Sequence, residues 1–261
     1  GGIGSGQIQQ LSAGGLARTN NATLLVRGST LGSTATNSTR FTLGSLTGVT
    51  QIGTTTASGG AGSVKDLTII PYAIGATTVG GTGENFVTYD TTVGVRTLGA
   101  SEQTSLVTGY TTVGAGENVK VTGGATTTLT NASGITVNSL AFVSGTAATL
   151  ASTNANALTV NSGAVGFFIN ADTSTMGSGF SRLNLDNSEG VVTVLGTGVL
   201  TVATPIDVTQ SGTHATAGSL TKAGAGTRWR GESNRYTGQT TVNQGKLQMG
   251  TGTAGYLRSK T

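Results

Sequence analysis

A Thr-Val pair, usually followed by Asn or Gly, returns along the chain at near-even intervals, and no other feature limits the possible folds as strongly. It occurs at Thr92-Val93-Gly94, Thr112-Val113-Gly114, Thr136-Val137-Asn138, Thr159-Val160-Asn161, Thr201-Val202 and Thr241-Val242-Asn243. The valines are 20, 24, 23, 42 and 40 residues apart, so the last two gaps are close to twice the earlier ones. A period of about 20–24 residues suits one coil of a β-solenoid: two or three short strands and the turns between them. In Leu158-Thr159-Val160-Asn161 apolar and polar residues alternate, so Leu158 and Val160 face inward, and Ser162-Gly163 supplies a turn. One coil cannot bury its own apolar face. Stacked at roughly 4.8 Å, coils pair each strand with those above and below and enclose a common core, and about 11–13 of them would make a rod roughly 50–60 Å long.

Composition agrees with many short strands. Glycine accounts for 44 of the 261 residues, about twice its ordinary share. Charged residues are 9% of the chain, against about 25% in an ordinary domain, yet a mean hydropathy of +0.06 argues against a charged disordered tail. Glycine and β-branched residues disfavour helix, and no stretch keeps apolar residues at 3–4 spacing for three turns. No run approaches the about 18 apolar residues of a membrane span. Ser58-Gly59-Gly60-Ala61-Gly62, Gly80-Gly81-Thr82-Gly83 and Ala223-Gly224-Ala225-Gly226 read as turns. The segment Pro71 to Gln103 gathers charges with Tyr72, Phe86 and Tyr89, and a larger loop or lateral excursion is expected there. With no cysteine, disulfides and thiolate metal sites are excluded, which is compatible with export. A start at Gly1 without Met or signal peptide suggests a processed or internal piece.

The net charge of +4 is unevenly distributed. Residues 220–261 hold seven basic groups and Glu232, or +6, leaving seven basic and nine acidic groups, or −2, on the rest. No dense basic stripe with interleaved aromatics occurs, so nucleic acid is not an expected partner. Chemistry is thinly supported. His214 is the only histidine, with Asp207 as its nearest acid and no nucleophile elbow, and it reads as a turn residue. A β-helical lyase or hydrolase needs carboxylates gathered on one strand face, whereas Asp66, Asp186 and Glu189 belong to a scattered set. The Gly-Gly pairs lack the Asp of a calcium roll, and no glycine-rich loop runs into Gly-Lys-Thr or Gly-Lys-Ser. No catalytic, metal or cofactor-binding residue is therefore expected, and no cofactor.

The C-terminal stretch carries a specific pattern. Leu220-Thr221-Lys222-Ala223-Gly224-Ala225-Gly226-Thr227, followed by Asn234-Arg235-Tyr236-Thr237-Gly238-Gln239-Thr240-Thr241-Val242-Asn243-Gln244-Gly245-Lys246-Leu247, closely resembles the autotransporter-associated β-strand repeat, also called the passenger-associated transport repeat. The landmarks are Gly224, Gly226, Tyr236, Thr237, Gly238, Thr240, Val242, Gly245 and Leu247, read as structural positions of the motif. Arg228-Trp229-Arg230 departs from the family, which has Thr and Leu there; strand alternation would turn Trp229 inward and the arginines outward. The full repeat is missing from Gly1 to Ser219.

What the resemblance implies is an all-β chain folded as a right-handed parallel β-helix, exported and displayed outside a bacterial cell. The expected organisation is irregular solenoid coils over 1–219, with the lateral loop near 71–103, continuous with repeat coils over 220–261. The expected role is an extracellular stalk, fibre subunit or surface-layer element. An adhesin passenger binding glycans or surfaces through the 71–103 segment is the alternative, and a polysaccharide-degrading enzyme ranks last. Head-to-tail self-association into filaments and surface glycans are the expected partners, with any membrane contact made by parts outside this chain.

Overall fold

The computed structural model describes residues 7–249 apart from 110–112, 115, 123, 144–145, 170, 187, 209–217, 231–233 and 235. Tyr110 to Thr112 of one Thr-Val repeat, His214, Glu232 and Arg235 thus lie outside the described residues. The described residues are all-β, with one 3-10 turn and no α-helix. They fall into two compact units, residues 1–103 and 104–261.

The N-terminal unit holds β1 (Gln9–Ala13), β2 (Leu24–Arg27), β3 (Thr39–Leu43), β4 (Ala73–Ala76), β5 (Asn85–Asp90) and β6 (Gly94–Thr97). β1 pairs with β3 and β2 with β4 in parallel, but β4–β5 and β5–β6 are antiparallel. Chain length dictates the difference. Only Thr91-Thr92-Val93 separates β5 from β6, far short of the crossover that a parallel pair needs. The Asp90 carboxylate fixes this turn by accepting the amides of Thr92 at 2.8 Å and Val93 at 3.3 Å. The Thr-Val pair at Val93 is therefore a hairpin corner and not a coil. Residues 71–103, expected as a loop, instead supply three strands of the sheet, and Tyr72, Phe86 and Tyr89 are buried core. Tyr89 also donates its hydroxyl to the Leu43 carbonyl at 2.9 Å.

The C-terminal unit is built differently. It begins with β7 (Thr104–Leu106), then β8 (Asn118–Val121), β9 (Thr126–Leu129) and β10 (Ile135–Val137). The next three are β11 (Ser139–Phe142), β12 (Thr149–Ser152) and β13 (Ala157–Val160), followed by β14 (Ala164–Phe167), β15 (Thr173–Ser178) and β16 (Arg182–Leu185). Then come β17 (Glu189–Val194), β18 (Val199–Val202) and β19 (Ile206–Val208), and last β20 (Ser219–Ala223), β21 (Thr227–Arg230), β22 (Thr240–Val242) and β23 (Lys246–Met249). Three parallel sheets result, in the orders β7-β8-β11-β14-β17-β20-β22, β9-β12-β15-β18-β21-β23 and β10-β13-β16-β19. From β8 to β20 the chain visits the three sheets in rotation, so each strand there pairs with the one three strands on; β7 pairs directly with β8, and β20 to β23 alternate between the first two sheets.

Register keeps like beside like. Ile135, Leu158, Leu183 and Ile206 form one buried column of the third sheet, and Val137, Val160, Leu185 and Val208 the next. In the first sheet Val119, Leu140, Val165 and Val192 form a column, beside which Phe142 and Phe167 pack with ring centroids 6.0 Å apart and planes tilted by 59°. Polar groups at one corner stack too: Asn118 Oδ1 accepts from Asn138 Nδ2 at 3.0 Å and from Ser139 Oγ at 2.7 Å. Removing the buried Phe167 ring by Phe167→Ala leaves a cavity inside this stack, whereas Thr159 lies on the opposite face of its strand from Leu158 and Val160. Phe167→Ala is expected to lower unfolding free energy by about 3–5 kcal/mol and Thr159→Ala by no more than about 0.5 kcal/mol. Denaturant titration of both variants checks the contrast, and equal effects would contradict the register.

Candidate functional site

Three of the motif glycines, Gly224, Gly226 and Gly245, lie at the corners that follow β20 and β22. Gly224 has φ +74°, and a Cβ there would run into the Val194 carbonyl. Gly226 donates its amide to that same carbonyl at 2.9 Å, and a Cβ on it would lie 2.7 Å from the Gly198 oxygen. Gly245 has φ +76° and rests directly on the corner below: its Cβ would collide with the carbonyls of Gly224, Ala225 and Gly226, 2.5 Å from the first and 2.6 Å from the second. Only glycine lets two backbone corners stack this closely. Tyr236 is buried in the core with its hydroxyl 2.8 Å from Thr240 Oγ1, so it packs a corner. Gly238 donates its amide to Gly218 at 3.0 Å, Thr237 is exposed, and Leu247 is half-buried on β23 opposite Arg228. Thr240 pairs with Leu220. Val242 continues the buried column of Val192 and Lys222 yet is 45% exposed. Trp229 pairs by its backbone with Thr201; its side chain lies outside the described set.

Lys222 is the residue that reading by motif left without a role. It occupies an inward column position between Val192 and Val242 and is fully buried. Its ammonium donates to three carbonyls: Ala223 at 2.8 Å, Gly224 at 2.5 Å and Gln244 at 3.0 Å. Three donors meet three acceptors, so the charge enters the core with its hydrogen bonds made. Gln244 belongs to the corner after β22 and the other two to the corner after β20, so the side chain ties one circuit to the next.

A second buried charge cluster sits in the N-terminal unit. Arg96 Nε donates to Asp90 Oδ2 at 3.0 Å, and its Nη1 and Nη2 fork onto Glu102 at 2.7 and 2.8 Å. Arg96 Nη1 also reaches the Thr97 carbonyl at 3.2 Å. The amides of Gly99 and Gly62 donate to Glu102 at 2.7 and 2.8 Å, and that of Gly60 to Asp90 at 2.9 Å. Burial alone would raise both carboxyls, but the surrounding amides and the Arg96 guanidinium outweigh it and hold Asp90 and Glu102 below the usual carboxylate range. Burial likewise works against the Arg96 charge, yet its bonds to Glu102 and Asp90 raise it above its ordinary value.

Other acids have partners of their own. Asp66 accepts from Thr55 Oγ1 at 3.0 Å, Asp207 lies 3.6 Å from Arg182 Nη1, and Glu189 accepts from Thr221. Among the described residues no group of three or more His, Cys, Asp or Glu side chains is placed to hold a metal ion. No described helix is long and apolar enough to cross a membrane. No protein-family model, curated protein or solved structure matches the chain.

Two measurements follow from these clusters. Lys222→Met keeps the buried stem but strips the ammonium from three carbonyls, and should destabilise the chain by about 1.5–3 kcal/mol, with faster amide exchange at Asn243 and Lys246, which bond to Lys222 and Gly226 across the same corners. Unchanged exchange would deny the tie between circuits. Carboxyls whose folded values are depressed stabilise the fold above their unfolded values, about 3.9 for Asp and 4.3 for Glu, and that contribution disappears as pH falls through the lower folded values. Amide protection at Gly60, Gly62 and Gly99 should therefore be constant from neutrality to about pH 5 and decline below it. Arg96 stays charged throughout. In Glu102→Gln the protection at Gly62 and Gly99 should be weaker at neutral pH and less sensitive to acid.

Proposed function

We propose that the chain is an extracellular structural element of the autotransporter-associated repeat type, a right-handed parallel β-helix over residues 104–249 that serves as a stalk, fibre subunit or surface-layer component. The observation carrying this reading is the edge that the last described strands of the parallel stack present. β22 and β23 each pair on one side only among the described residues, and Val242 on β22 is exposed where its column-mates are buried. A parallel sheet edge with a bare apolar column position offers backbone and side-chain groups that another strand can cover. An end-on contact of this kind does not close on itself, and it extends into filaments. The +6 of residues 220–261 against −2 elsewhere favours head-to-tail order. The absence of cysteine and the glycine corners of the motif support an exported stack held by packing and pairing alone.

The geometry of β22 supplies the test. Asn243 donates its amide toward β20, to the Lys222 carbonyl at 2.9 Å, so by alternation the Val242 amide points away from β20 and toward the open edge. Val242→Pro deletes that outward donor and leaves the β20 pairing in place. Sedimentation and negative-stain imaging at rising concentration should show the unaltered chain assembling and the Val242→Pro chain remaining single. A wholly monomeric unaltered chain at high concentration would overturn the proposal.

A further inference from the structure

β1 is an unguarded edge strand. Among the described residues it pairs on one side only, with β3, and its Leu11 is 64% exposed. Natural edge strands are protected by charge, proline or a bulge, and β1 has none of these. Residues 1–17 include no charged residue and no proline, and the β1–β3 register runs unbroken from Gln9 opposite Thr39 to Ala13 opposite Leu43. Residues 236–245, which contain β22, are likewise without charge or proline.

The backbone fixes how two such edges can meet. Gln9 donates its amide to the Ser38 carbonyl at 2.9 Å, and the Ala13 carbonyl accepts from Gly44 at 2.8 Å. By alternation Leu11 also turns its backbone groups to β3, while Gln10 and Ser12 turn theirs outward. On β22 it is Val242 whose groups face away from β20. A parallel pairing therefore sets Val242 opposite Leu11, with the Val242 amide donating to the Gln10 carbonyl and the Ser12 amide to the Val242 carbonyl. Register partners share a face, so the same pairing lays Val242, 45% exposed, against the bare Leu11 side chain. Other edges fit less well. On β7 the side chains of Thr104 and Leu106 are already covered, at 4% and 1% exposed. On β2, Leu24 and Gly28 donate toward β4, so the complementary register would set Val242 opposite Leu24 or Val26 and away from the exposed Leu25. We propose that the edge of β22 recruits β1 of a second copy of this chain, with Val242 in register with Leu11. The inference rests on the filament reading above and names the partner of its edge.

The chain has no cysteine, so single introduced thiols report the contact cleanly. Register partners lie about 4.8 Å apart, within the span of a disulfide. An oxidised mixture of the Leu11→Cys and Val242→Cys chains should yield the mixed dimer in excess over either self-linked dimer, with the bond mapped by peptide mass. Leu25→Cys in place of Leu11→Cys should lose that excess. Ser12→Pro removes the outward donor of β1 and spares its bonds to β3, and this chain should no longer form filaments. Mixed with the Val242→Pro chain it should form one-to-one pairs that grow no further, since each supplies the edge the other lacks. If the Ser12→Pro chain loses its amide fingerprint, the disulfide result decides alone. Absence of the mixed disulfide, a Leu11→Cys chain that links chiefly to itself, or undiminished filaments from a folded Ser12→Pro chain would each overturn this pairing and leave filament formation standing. An unaltered chain that stays single in sedimentation removes the filament itself, so the two failures are distinct.

Discussion

Pairing between one circuit of the chain and the next is the constraint on which the C-terminal unit depends. Apart from the consecutive pair β7–β8, the ladders of its three sheets join strands that are not neighbours in sequence. Since backbone amides and carbonyls must be satisfied when buried, register becomes obligatory, and register in turn decides composition. In the third sheet a position that faces inward on one strand faces inward on the next, and Ile135, Leu158, Leu183 and Ile206 are all branched aliphatics. Where two corners stack, a Cβ would enter the neighbour's carbonyls, and glycine is required at Gly224 and Gly245.

The two units resolve buried charge in opposite ways. Lys222 enters an apolar column, where three main-chain carbonyls accept from its ammonium. Arg96 is flanked by Asp90 and Glu102, and the acids are in turn held by amides of neighbouring loops. Removing a single member from either arrangement strands the others away from water, which explains why burial of ions specifies geometry more reliably than it adds stability. The antiparallel hairpin of β5 and β6 makes the second arrangement possible: Asp90 pairs with Gly94 and Arg96 with Thr88, so the two charged residues are diagonal neighbours across a short turn.

The alternation of Leu158 and Val160 was legible in the sequence, as were the inward positions of Ile135 and Val137 and the need for glycine at the C-terminal corners. The even spacing of the Thr-Val pairs was less informative than it looked. Val137 and Val160 do pair across circuits, but Val202 belongs to the second sheet and Val242 to the first, and Val93 is a hairpin corner. Thr-Val recurs because any half-buried strand welcomes it, so spacing alone could not separate the three sheets. The hairpin had its own signal, an Asp at residue 90 with Gly at 94 after an apolar-aromatic run. The Arg96 cluster had none. Its members are close in sequence, but their carboxylates are held by the amides of Gly60 and Gly62, which arrive from 30 and 40 residues away.

Circuit length is the feature with the widest consequence. Along the column Val119, Leu140, Val165, Val192, Lys222, Val242, successive partners are 21, 25, 27, 30 and 20 residues apart, and the strands keep their register across all of these steps. Extra residues are absorbed at the bends, and each lap still advances the pile by about 4.8 Å. Span and residue number are thereby uncoupled. A lineage can lengthen, trim or redecorate the bends, and so change what the outside world meets, while the scaffold's pitch is inherited untouched.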